Sequence, residues 1–140
     1  MFVLMIRFHP RKGTLLCCDF SKGFTPPEMV KVRPVVVITP QLPGRAGLCT
    51  VIPLSTVEPD TLQPYHHKMD ANSLTPKLQA TECWAKCDMV YAVGLRRLDR
   101  IRERDAGGKR VYLTGKLTEP DMRAIEIAVL NGLGLRKFLP

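Results

Sequence analysis

The stretch Lys31-Val32-Arg33-Pro34-Val35-Val36-Val37-Ile38 decides the fold class. The four aliphatic residues after Pro34 are too hydrophobic to face water, and their β-branched side chains suit an extended backbone, so the run predicts a buried strand. Proline lacks a ladder donor and therefore marks the first residue of that strand. Arg33 is thus anchored at a rigid strand entrance with its side chain free to reach a cleft. Two roles are open for it, a solubility gatekeeper beside a buried strand or a catalytic cation, and position alone favours the gatekeeper.

Working outward, Thr14 to Phe20, Pro34 to Thr39, Leu48 to Leu54 and Cys83 to Val90 read as strands, with shorter candidates at His66 to Met69 and Arg110 to Thr114. Turn-rich loops lie between them, over Gly23 to Pro27, Pro40 to Gly47 and the long Thr56 to Thr81 segment. One helix is predicted from Glu119 to Leu133. Thr118 is its N-cap, Pro120 falls in the first turn, Asp121 stands where a capping-box acid would, and Gly132 and Gly134 end it. Met122, Ile125, Val129 and Leu133 form its apolar stripe. A short helix or turn is expected near Gly94, with Leu95, Leu98 and Ile101 as its apolar edge. The resulting class is α+β, a small antiparallel β-barrel with a C-terminal helix, in a single domain over residues 1–140.

Lysine and arginine outnumber aspartate and glutamate by 21 to 13, giving a net charge of +8. That excess favours a polyanionic partner, with nucleic acid ahead of membrane. Half of it lies where Arg96, Arg97, Arg100, Arg102, Arg104, Lys109 and Arg110 face only Asp99, Glu103 and Asp105. That stretch is either a binding surface or a solvated, loosely ordered loop. Residues 1–6 are apolar but far shorter than the roughly 20 residues that span a bilayer, and no basic leader precedes them. They read as a first-strand extension, or as an upstream start with Met5 as the true one. Five cysteines, an odd number placed in apolar segments, point to a reduced, cytoplasmic protein. Cys83 and Cys87 have no second pair at finger-like spacing, so neither a metal nor a cofactor is expected.

Three further segments carry candidate chemistry. Val51-Ile52-Pro53-Leu54-Ser55-Thr56 ends a strand in two hydroxyls, which suit phosphate oxygens or a strand-capping Ser-Thr turn. In Cys83-Trp84-Ala85-Lys86-Cys87-Asp88 the period of two puts Trp84, Lys86 and Asp88 on one face. They form either a nucleotide platform, with Lys86 stabilising phosphate charge, Asp88 as general base and the indole stacking on a base, or a Lys86/Asp88 ion pair with Trp84 packed on the helix. His66 and His67 are adjacent, so in a strand only one can serve a given site.

In this order the segments resemble the MazF/PemK family of toxin endoribonucleases. The matching features are Gly13 before a strand ending Cys18-Asp19-Phe20, then Lys22-Gly23, Glu28 five residues before Arg33-Pro34, Pro53-Leu54-Ser55-Thr56, and Lys86-Cys87-Asp88, over roughly Gly13 to Leu135. The resemblance implies an SH3-like barrel, a homodimer, an antitoxin partner that blocks the groove, and cleavage of single-stranded RNA such as mRNA. It also implies metal-free attack by the RNA's own 2′-hydroxyl, leaving a 2′,3′-cyclic phosphate and a 5′-hydroxyl. Carried over by position, Arg33 matches the catalytic arginine and Ser55 the usual catalytic threonine, while Asp88 matches a general base. Lys86 stands where the PemK branch has an acid arginine, which leaves the general acid open between Arg33 and Lys86. Glu28 matches an acid near the site. Lys22, Lys31, Thr56, Trp84 and His66 complete the expected substrate-binding set. The rivals are a gyrase poison like CcdB, whose Trp-Gly-Ile tail is replaced here by Arg136-Lys137-Phe138-Leu139-Pro140, and a catalytically silent nucleic-acid-binding barrel.

Overall fold

The computed structural model describes residues 6–140, so the expectations for residues 1–5 lie outside the described residues. In chain order the strands are β1 (Thr14–Asp19), β2 (Val32–Val37), β3 (Leu48–Ser55), β4 (His66–Lys68), β5 (Trp84–Lys86), β6 (Tyr91–Gly94), β7 (Leu98–Asp99), β8 (Ile101–Arg104), β9 (Arg110–Leu113) and β10 (Gly115–Lys116). A four-residue helix, α1 (Pro76–Gln79), precedes β5, and α2 (Glu119–Gly132) follows β10. Every pairing is antiparallel. The main sheet runs β10-β1-β2-β3-β5-β4, with β6 on β3 and β7 on β1, while β8 and β9 form a separate hairpin.

Strand alternation sorts the core into two faces. Leu15, Val36, Ile52, Leu54 and Ala85 point to the face that α2 covers with Ile125, Ala128 and Val129. Leu16, Cys18, Val35, Val37, Cys49 and Val51 point to the far face, where the β1–β2 connection folds back. There Phe20, Phe24 and Tyr91 pack ring to ring at 5.0–5.5 Å, and the Tyr91 hydroxyl accepts the Met29 amide. Burying each large aliphatic side chain fully contributes about 1.5–3 kcal/mol, so both faces hold the sheet in its curl.

Several expectations need correction. The strand expected over Cys83 to Val90 is only the three-residue β5, with β6 starting after it at Tyr91, because the Cys87 amide donates to Tyr65 O and a turn follows, Met89 N–H to Lys86 O. The segment expected as one long loop after Thr56 contributes β4 to the sheet edge and α1 to the core rim. The basic stretch is not a loose loop, since Leu98 and Asp99 join β1 and the residues after them form the β8–β9 hairpin. Leu95–Arg97 is the single turn expected near Gly94.

In α2, Thr118 caps as expected, accepting from the Asp121 amide. Asp121 does not complete a capping box, however. Ser73 Oγ takes the Thr118 amide instead, and the Asp121 carboxylate accepts from Ser73 Oγ (2.6 Å), His67 Nε2 (2.8 Å) and Asp70 N (3.0 Å). Leu133, expected on the buried stripe, is 52% exposed because the helix has ended before it.

Candidate active site

Register alone decides which candidate side chains share a face. Arg33 lies two residues from Val35, which pairs with Pro53, and Ser55 lies two residues beyond Pro53, so Arg33 and Ser55 project from the same face. Ser55 pairs with Trp84, Lys86 is two residues on, and Lys86 pairs with His66. Arg33, Ser55, Trp84, Lys86 and His66 therefore stand together on the far face, away from α2. Neighbouring strands are about 4.8 Å apart, which puts Ser55 one strand and Trp84 two strands from Arg33. Lys68 pairs with Trp84 and belongs to the same set. Reading His66-His67-Lys68 as a strand and counting by two would have found it.

The hydrogen bonding on this face is incomplete in one direction. Arg33 is half-buried and its Nε has no acceptor, and Trp84, 7% exposed, has a buried indole Nε1 that also lacks one. Ser55 Oγ accepts the Val57 amide at 3.1 Å, the Ser-Thr turn expected as an alternative role. That bond uses a lone pair and leaves the hydroxyl proton to donate elsewhere. Three donors on this face thus have no acceptor among the described residues, and each of the two buried ones, Arg33 Nε and Trp84 Nε1, costs about 1–3 kcal/mol while unpaired. His66 Nδ1 accepts the Gln63 amide at 3.0 Å, which assigns the ring proton to Nε2 and makes that nitrogen a fourth donor. The Tyr65 ring packs against it with centroids 4.6 Å apart.

Other candidates are placed differently. Trp84, expected on an open stacking platform or against the helix, does neither: its indole is covered, and it points away from α2. Asp88 follows the end of β5 in the turn and is exposed, with no ion pair to Lys86 among the described residues. The α2 backbone backs this turn closely, since a Cβ on Gly132 would lie 2.7 Å from Cys87 O and 2.8 Å from Asp88 Cα. Glu28 is turned into its own loop, its carboxylate accepting from the Thr25 amide at 2.8 Å. Lys22 is exposed in a connection held by Arg97, whose guanidinium donates to Asp19 O and Lys22 O and lies over Phe24 at 4.7 Å. Hydrogen bonds from Ser21 hold the Asp19 carboxyl below its usual range at the start of the same connection. Lys31 and Thr56 are exposed at the ends of β2 and β3. His67 faces α2, where the Asp121 carboxylate accepts a hydrogen bond from its Nε2 at 2.8 Å.

The cysteines belong to the core. Burial pushes Cys17 and Cys49 up to about 11 and Cys18 and Cys87 to about 12, so these thiols are not nucleophiles at neutral pH.

The model of PemK-like, MazF-like toxins of type II toxin–antitoxin systems matches residues 11–131. The chain belongs to that family. The toxin is 35% identical to YifN, an uncharacterised protein of Escherichia coli K12, over 93% of this chain and 95% of the relative. Its fold is similar to that of MazF from Deinococcus radiodurans, with a TM-score of 0.63 at 16% identity over 89% of this chain and 96% of the other. It is likewise similar to a mycobacterial endoribonuclease solved with its cognate antitoxin, with a TM-score of 0.60 at 19% identity over 91% and 97%. Among the toxin's described residues no helix is long and apolar enough to cross a membrane.

Proposed function

We propose that this toxin is an endoribonuclease that cuts single-stranded RNA by attack of the RNA's own 2′-hydroxyl on the adjacent phosphorus. The observation that carries the reading is that the register puts Arg33, Ser55, Trp84, Lys86 and His66 on one face, with the buried Arg33 Nε and Trp84 Nε1 unpaired among the described residues. A phosphodiester supplies acceptor oxygens and negative charge together. Family membership supports the toxin role, and the solved neighbours named as endoribonucleases support the chemistry.

Arg33 stabilises the charge that grows on the phosphate oxygens in the transition state. Ser55 donates its free proton to one of those oxygens, and His66 Nε2 donates to the same or a neighbouring phosphate. Asp88, assigned by its family position and set in the turn that α2 backs, removes the proton from the 2′-hydroxyl. As the 2′-oxygen bonds to phosphorus, the bond to the 5′-oxygen breaks and that oxygen takes a proton from Lys86. An ammonium gives up its proton more readily than a guanidinium, which assigns the acid to Lys86 and the charge to Arg33. The internal nucleophile means that the reaction needs no metal, and DNA is bound but not cut.

The toxin acts in the cytoplasm as a homodimer held in check by a cognate antitoxin. Val32, 56% exposed, and Val57, 69% exposed, flank Arg33 and Ser55 with apolar surface that suits a second copy across the site. To test the function, purified toxin is incubated with a long single-stranded RNA and the new 5′ ends are mapped. Discrete cuts bearing 5′-hydroxyls are expected from the wild type and none from Arg33→Ala. Intact RNA with the folded wild type would overturn the reading, and stalled gyrase in the same preparation would replace it with a CcdB-like role.

A further inference from the structure

The β8–β9 hairpin carries cations that the candidate active site does not use. Every acid in the basic stretch is turned to backbone amides: Asp99 to Arg100 N (2.7 Å), Glu103 to Lys77 N (3.1 Å), and Asp105 to Gly107 N (3.0 Å) and Lys109 N (2.9 Å). No ion pair reaches Arg102, Arg104 or Arg110 among the described residues. Arg104 and Arg110 are direct cross-strand partners, a like-charge pairing that is unfavourable without an anion between them. With Lys77, Arg102, Glu103 and Pro76 they line a cavity of about 490 Å³.

Glu103 gives this cavity its character. It is 6% exposed and its Oε2 has no hydrogen-bond partner, and the hydroxyl of Thr75, 4% exposed and next to Pro76, has none either. A buried carboxylate oxygen in a cavity that Arg102, Arg104 and Arg110 also line, none of them in an ion pair among the described residues although Arg104 donates to Gly108 O, suits a ligand that is anionic yet carries N–H donors. A nucleotide is both, with phosphate for the arginines and a base amino group for Glu103. An acidic peptide would set its own carboxylates against Glu103. Leu74, Leu78 and Ile101 pack in the core under α2, which places the cavity on the helix-face side of the sheet.

We propose that the cavity between α1 and the β8–β9 hairpin is a second nucleotide subsite, which holds a stretch of the RNA strand away from Arg33. The proposal rests on RNA being this toxin's substrate. It extends the footprint of the strand around the sheet, and Glu103 makes the subsite prefer bases with an exocyclic amino group.

The test measures binding of 2′-O-methyl oligocytidine and oligouridine, which cannot be cut because the nucleophile is capped, at several salt concentrations. Each lost phosphate contact on a single strand flattens the plot of log affinity against log salt by about 0.7, so Arg104→Ala/Arg110→Ala is expected to flatten it by about 1.4. Wild type is expected to bind oligocytidine several-fold tighter than oligouridine, and Glu103→Gln to reduce that preference while keeping the salt slope. An unchanged slope in the arginine variant, or competition by polyglutamate that equals competition by RNA, overturns the subsite. So does a base preference untouched by Glu103→Gln. Wild-type toxin that neither binds nor cuts RNA would instead sink the function proposed above, so the two failures are told apart.

Discussion

Two clusters on opposite faces of the sheet, Asp121 with its partners and Arg33 with Trp84, treat buried polar groups in opposite ways. On the helix face Asp121 is 4% exposed and accepts from His67, Asp70 and Ser73, while Ser73 in turn takes the Thr118 amide. On the far face the Arg33 Nε and Trp84 Nε1 donors are buried with no acceptor among the described residues. The divide falls between adjacent residues, because His66 pairs with Lys86 on one side and His67 with Ala85 on the other. A buried polar group with its partners in place holds the fold together. In the function proposed above, the ones that lack them are the groups that pair with substrate.

Breaking the satisfied face should cost the most stability. Asp121→Ala strips a buried carboxylate from its partners and is expected to destabilise by about 3–5 kcal/mol in urea unfolding, with the rate per folded molecule unchanged. The thiols give a control, since Cys17 and Cys87 belong to the helix face and Cys18 and Cys49 to the far face. Burial raises them in the folded state to about 11–12, so their contribution is complete below the ordinary thiol value of 9.0 and is lost as pH rises through the folded values. Each such thiol lowers stability by at most about 1.4 kcal/mol per pH unit in that window, on both faces alike. A loss of stability beginning below pH 8 would contradict the burial of both sets.

Substitutions on the unsatisfied face should act on function instead. Ser55→Ala is expected to slow cleavage about tenfold, worth about 1.4 kcal/mol, with little change in the unfolding midpoint. Trp84→Phe keeps most of the ring and deletes the orphan donor, so stability should move by less than about 0.5 kcal/mol while RNA affinity weakens. If Trp84→Phe instead unfolds the chain and leaves affinity intact, the indole is ordinary core and the contrast between the faces is smaller than drawn.

Local signals were readable in the sequence. Val35-Val36-Val37 after Pro34 gave a buried strand, and Thr118 with the spacing of Met122, Ile125 and Val129 gave the capped helix. Parity separated His66 from His67. Long-range partners were not readable. Ser73 reaches Asp121 across 48 residues and so replaces the expected capping box, and Tyr65 O ends β5 from a segment expected as loop. The same limit hid the burial of Trp84, because alternation tells which face a side chain takes but not what covers that face. Arg33 gained its neighbours only through the ladder that joins β2 to β3 and β3 to β5.

The most direct test sets Arg33→Ala beside the wild type, measuring RNA cleavage and the urea unfolding midpoint on the same preparations. The account predicts a loss of at least about 100-fold in cleavage rate, as removal of a charge-stabilising donor gives, with an unchanged or slightly higher midpoint once the orphaned Nε–H is gone. Cleavage at the wild-type rate, or a loss explained wholly by unfolding, would contradict it.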